Sequence, residues 1–294
     1  MLTLATTIAA QTAAKKSKES ITLFAVSKTQ NGTSLDPLVI IDQGRFIQPP
    51  SGESDNSKLR RFANSYYQPG RKYRFLFGGG EAGTITVKKW MGRDRDCSRT
   101  LAAAEIKSAT RLREKVMGLA TNSTTLGRRR SSRRQPTVTE RKAVTELAEK
   151  VYRQKGIPAA LASNLDAINM TAVDLNSDGR DEIIGTFLIK KLTASKAAYM
   201  LLVFAEPKGK SFSVSFSQYG QVTEKDLPGG ASIDQIGRNV LASILVDHID
   251  LDRDRTSEVI IADTSFEGIT YRIYKKQKGG WRNIYEFYNY RCAF

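Results

Sequence analysis

Two stretches of this 294-residue chain place oxygen-bearing side chains at alternate positions. In the first, Asp174, Asn176 and Asp178 are followed by Gly179 and then Glu182; in the second, Asp250, Asp252, Asp254 and Glu258 repeat the spacing 76 residues later. Ca2+ is a hard cation that takes about six to eight oxygens, and a short loop offering oxygens at positions 1, 3, 5, 7 and 9 can wrap it. Position 7 supplies a main-chain carbonyl, which falls at Arg180 in one stretch and Thr256 in the other. The chemistry expected here is ligation of Ca2+ by ten residues in two loops. The alternative is a pair of metal-free Asx-type turns, since short acids also bond to their own backbone.

A twelve-residue EF-hand loop is excluded, because position 12 needs a bidentate Glu and holds Gly185 in one copy and Ile261 in the other. Instead each loop runs straight into an apolar, β-branched stretch, Ile183 to Ile189 and Val259 to Phe266. A hairpin-like segment follows in each case, Tyr199 to Phe216 and Tyr271 to Phe287, with turns at Lys208-Gly209-Lys210 and Lys278-Gly279-Gly280. This pattern over residues 170 to 294 resembles the FG-GAP/VCBS repeats of integrin-like propellers and secreted bacterial surface proteins. The resemblance implies that the loop side chains ligate calcium and brace the start of a blade strand. The second copy departs from it at Arg255, where the turn glycine should stand, and a left-handed non-glycine residue costs about 1 kcal/mol.

Other chemistries find less support. His248 is the sole histidine, so any triad must use it, and no G-x-S-x-G elbow or H-E-x-x-H pair occurs. The expectation is a non-enzymatic protein. The net charge of +16 is uneven: residues 1 to 136 hold 25 Lys+Arg against 10 Asp+Glu, and the remainder 21 against 20. The run Arg128-Arg129-Arg130, continued by Arg133 and Arg134, is the candidate contact for nucleic acid or an acidic glycan. Such binding would be electrostatic and salt-sensitive. Cys97 and Cys292 are the two cysteines; in an oxidising compartment they could pair, and apart they are small buried side chains.

The elements that must position these groups read as an α+β, β-rich chain. Residues 1–19 look like the end of a signal peptide with cleavage near Ala10, or a disordered leader. Residues 20–98 carry β-branched and aromatic runs for a small β domain, in which Gly78-Gly79-Gly80 reads as a hairpin connection. Tyr66, Tyr67, Tyr73, Phe75 and Phe77 lie among arginines and suit either a stacking platform or an ordinary half-buried strand. Residues 99–120 have helical periodicity, 121–136 read as a flexible basic linker, and 137–294 as a helix plus the duplicated calcium-loop/β-hairpin repeat. Thr137 and Glu140 have capping-box spacing, and so do Ser232 and Gln235, ahead of a second helical pattern from Ile233 to Ile244. No run reaches the ~18 apolar residues that span a bilayer. The expected setting is secreted, periplasmic or cell-surface, with an extracellular protein or glycan as partner.

Overall fold

The computed structural model describes residues 20–110, 117–128, 132–191, 197–227, 232–233 and 242–292. The expected leader at 1–19 lies outside these residues, as do Arg129, Arg130 and most of the second helical pattern; Ile244 falls in a strand.

The first half is built by strands β1 (Ile21–Thr29), β2 (Gly32–Asp42), β3 (Arg45–Ile47), β4 (Lys72–Phe77), β5 (Gly80–Trp90), β6 (Ala102–Ser108) and β7 (Met117–Thr121), with helix α1 (Asn56–Tyr66) between β3 and β4. The order β1-β7-β4-β5-β6-β2 returns to β1 through the β1–β2 pairing, which closes a six-stranded antiparallel barrel; β3 extends its rim. The period-two alternation of a strand sets its two faces. On β1, Phe24 and Val26 point into the barrel with Tyr73, Phe75 and Ile85, while Leu23 and Ala25 point out with Leu38, Leu76 and Leu119. Asp55 caps α1 by accepting the Lys58 N–H at 2.9 Å, and the helix lays Phe62 and Ala63 into the interior cluster.

This barrel corrects two expectations. The chain is not an open propeller-type repeat of the FG-GAP/VCBS kind, because its N-terminal region is a closed barrel. Nor do the described residues of the expected helix 99–120 form one: they give the strands β6 and β7. Ala102, Ala103 and Ala104 favour helix intrinsically, but β6 must bridge β5 and β2 to close the barrel, and that pairing overrides propensity. The barrel therefore extends past 98 to Thr121.

Two four-stranded antiparallel sheets follow, each a meander in chain order. One comprises β8 (Asp166–Val173), β9 (Glu182–Lys191), β10 (Ala197–Lys208) and β11 (Ser211–Thr223); the other, β12 (Ser243–Ile249), β13 (Glu258–Thr264), β14 (Gly268–Gln277) and β15 (Gly280–Tyr290). An acidic loop joins the first strand to the second in each. Ahead of them α2 (Val138–Gln154) starts on the Thr137/Glu140 capping box and packs Val144, Ala148, Val151 and Tyr152 on the first sheet. The helical pattern from Ile233 that precedes the second sheet lies largely outside the described residues, and what is described on one face of that sheet is the barrel. It sets Leu23, Leu38 and Leu119 against Ile260, Ala262, Tyr271 and Ile273. The other face of the second sheet, with Val259, Ile261, Tyr274 and Trp281, meets Ile184, Leu202 and Phe204 of the first. The order of layers is barrel, second sheet, first sheet, α2.

Residues 132–135 are not a free linker. Arg134 forms a two-way backbone bridge with Ala172, its N–H donating to the Ala172 carbonyl and its carbonyl accepting from the Ala172 N–H, both at 3.0 Å. Arg133 sends its guanidinium inward, where it donates to the carbonyls of Met117 at 3.0 Å and Val246 at 2.9 Å and covers the Phe77 ring.

At the far end, Arg291 and Tyr271 both donate to the buried Asp36 carboxylate, and Asn289 donates to it at 2.8 Å. Beside this node Cys97 is joined to Cys292 across 195 residues of sequence. A cross-link closing so long a loop acts mainly on the unfolded chain and typically contributes about 2–5 kcal/mol. Cys97→Ser/Cys292→Ser is expected to lower denaturant-unfolding stability by that amount, with native circular dichroism kept at low temperature; an unchanged midpoint would contradict the assignment.

Candidate metal centre

Both acidic loops are shaped by their own acids. Asp178 accepts the Arg180 N–H at 2.8 Å, Asn176 accepts the Asp178 N–H at 2.9 Å, and Asp174 accepts the Gly179 N–H at 3.1 Å. The second loop repeats these bonds: Asp254 with Thr256 N–H at 2.8 Å, Asp252 with Asp254 N–H at 3.3 Å, Asp250 with Arg255 N–H at 3.1 Å. Left-handed backbone recurs at matching positions, Ser177 and Gly179 in one loop, Arg253 and Arg255 in the other. The second loop pays for this path with two non-glycine residues, about 1 kcal/mol each. Each exit glutamate is buried and closes its loop from below: Glu182 accepts the Leu175 N–H at 2.9 Å and Glu258 the Leu251 N–H at 2.8 Å. The loops also touch, since Ser257 N–H donates to the Leu175 carbonyl at 2.7 Å.

Their charge environments differ. In the second loop one oxygen from each of Asp250, Asp252 and Asp254 lies within 4.8 Å of the others, a grouping that could hold a divalent cation. Among the described residues it is this loop, not the first, whose acids converge so closely. Lys275 from β14 enters it, donating to Asp252, to Asp254 at 2.7 Å and to Glu258 at 3.1 Å. Burial opposes the lysine's charge, but these hydrogen bonds outweigh it and hold the ammonium above the ordinary lysine range. In the first loop burial, with Asp178 and Glu206 adding repulsion, pushes Glu182 up to about 7 against two backbone hydrogen bonds. Asp174 Oδ1 is buried without a hydrogen-bond partner. Arg180 turns away to the Gly209 carbonyl at 3.1 Å.

Between the loops and the barrel lies a junction that the sequence reading missed. Asp247, fully buried, accepts the Gly78 N–H with both oxygens at 3.0 Å and stands 3.9 Å from Arg133. Gly79 is required there: a Cβ would fall 2.7 Å from the His248 ring and its φ of 73° is left-handed. Ser132 Oγ accepts the Asp174 N–H at 3.1 Å and lies 3.5 Å from His248 Nε2. Asp247 bonds the His248 main chain at 2.9 Å rather than orienting its ring, so the acid–imidazole–hydroxyl order of nucleophilic catalysis is not what these three residues form.

The basic run is divided by the fold. Arg128 is exposed and bonds the Thr124 carbonyl, Arg134 pairs with Glu140 at 2.8 Å and Asp181 at 2.6 Å, and the Arg133 side chain is buried. Arg133 is thereby removed from any polyanion contact. No helix among the described residues is long and apolar enough to cross a membrane. A scan against family models and searches of curated proteins and of solved structures each return no match.

Burial pushes the Asp247 carboxyl up to about 6, even though Arg133 and the N–H groups of His248, Gly78 and Gly79 favour its charged form. A carboxyl whose folded pKa lies above its unfolded value holds its proton more tightly in the native state. Its contribution to stability therefore falls as pH rises from about 4 to about 6 and is level above that. Over this window Asp247→Asn should gain on the wild type by at most about 3 kcal/mol, read from urea unfolding at several pH values. Parallel curves would refute the assignment.

Proposed function

We propose that this chain is an exported, non-enzymatic recognition protein whose first acidic loop takes Ca2+ as a structural ion. The observation that carries the reading is a deficit of positive charge at Asp174, Asn176, Asp178 and Glu182. There, a buried carboxylate oxygen has no hydrogen-bond partner, and a buried glutamate carries a strongly raised pKa beside other acids. A hard divalent cation suits that donor set, and a loop mixing carboxylate, amide and carbonyl oxygens fits the larger, flexibly coordinated Ca2+ better than Mg2+. Asp174, Asn176, Asp178, Glu182 and the Arg180 carbonyl would hold it. The fit is internal to this chain, since the loop already curls round its own oxygens.

Export is supported by the Cys97–Cys292 bond, which persists in oxidising compartments. An ion at this loop would brace β8 to β9 and, through the Ser257–Leu175 bond, one sheet to the other. Affinity in the range of extracellular modules, about 10⁻⁴ to 10⁻³ M, would make it a permanent part of the fold outside a cell. Calorimetric titration with calcium chloride should give saturable binding in the wild type that is lost in Asp174→Ala/Asp178→Ala, with melting raised by calcium only in the former. Absence of heat and of any melting shift in the wild type would reject the reading.

A further inference from the structure

We propose that Lys275 is the resident cation of the second acidic loop: its ammonium sits where a divalent ion would, so that this loop closes without metal and leaves any calcium to the first. The inference deepens the calcium reading of the first loop and can fail separately from it.

The argument begins with register. In the second sheet Val259 faces Tyr274, so the next step along the ladder brings Lys275 level with Glu258 at the loop exit. In the first sheet Ile183 faces Ala205, and the same step brings Glu206 level with Glu182. Two loops of matching spacing and backbone thus meet opposite charges at one position of the neighbouring strand. A lysine opposite the exit glutamate reaches Asp252, Asp254 and Glu258 together. A glutamate there adds like charge, which is unfavourable across a ladder unless something intervenes. Glu206 is instead drawn to the next sheet, pairing with Lys276 at 2.8 Å and accepting from Trp281 Nε1 at 3.2 Å.

The ammonium also accounts for the compactness of the second loop. Three aspartates brought within 4.8 Å of one another repel, and the loop bears left-handed backbone at Arg253 and Arg255 besides. A cation held by Asp252, Asp254 and Glu258 offsets these costs, and Lys275 supplies it covalently. Its side chain is only 19% exposed, so the pairs are partly shielded from the solvent screening that weakens surface ion pairs. A divalent ion entering would have to displace an ammonium that is tethered to the same fold.

Lys275→Met keeps the length of the side chain and removes the charge. Calcium titration of the full chain should show the stoichiometry rising from one ion in the wild type to two in this variant, while Lys275→Arg stays at one. In the Asp174→Ala/Asp178→Ala background the expected count goes from none to one. A wild type that binds no calcium while Lys275→Met binds one would sink the reading of the first loop and uphold this inference. Equal counts with and without Lys275, or two ions in the wild type, would overturn it. Should Lys275→Met fail to fold even with calcium, Asp252→Asn/Asp254→Asn decides. The inference requires a fall in melting temperature that is the same in calcium as in EDTA; a fall seen only with calcium, or none, overturns it.

Discussion

The sheet β12–β15 has its strands β12 and β13 buried on both faces, and most of the architecture follows from that. It has to satisfy the barrel on one side and the first sheet on the other, so β13 reads Val-Ile-Ile-Ala with no polar face, its alternate residues divided between two cores. Because the period of a strand is two, a slip of one residue would exchange the two sets. The interlayer polar groups hold the register. On the barrel side these are Asp36 with Tyr271, Asn289 and Arg291, and Asp247 with Gly78. Burying such groups is tolerable only because their partners come from the facing layer.

Positive charge is used inward as well as outward. Arg133, Arg291 and Lys275 each place a cation among carbonyls or carboxylates that packing would otherwise leave short of charge. Arg133 is the most confined, ringed by main-chain carbonyls from β7 and β12 and stacked on Phe77. Guanidinium suits that place because its planar fork gives several donors in fixed directions and stays charged when desolvated. A high content of basic residues thus overstates the basic surface, since part of it is consumed at internal junctions.

What the sequence made legible was local. The turns at Lys208-Gly209-Lys210 and Lys278-Gly279-Gly280, the Gly78-Gly79 hairpin and the Thr137/Glu140 cap are short-range signals, and the fold uses each of them. The apolar runs that became β9, β10, β13 and β14 were equally plain. Long-range closure was not. Ala102–Ser108 looks helical until β2 and β5 are known to need a strand between them. The helix α1 has its own signal in Leu59, Phe62, Ala63 and Tyr66, spaced three and four apart, but it is a single short helix among β-branched and aromatic runs that read as strands. At the loops the ligand pattern was visible and Lys275 was not, because its position depends on the register of β13 against β14, 17 residues from Glu258.

The bond between Cys97 and Cys292 gives the molecule the topology of a lariat. Residues 97 to 292 form a covalent ring, and the residues before 97 form its tail. Strands β1 to β5 belong to the tail, whereas β6, β7 and both sheets belong to the ring. The barrel is therefore woven from the two, tail strands β1 and β4 each gripping ring strand β7 and tail strands β2 and β5 gripping ring strand β6. A single cut anywhere in the ring leaves one covalently continuous molecule. Cutting the tail just before Cys97 frees no intact domain, because it divides the barrel itself.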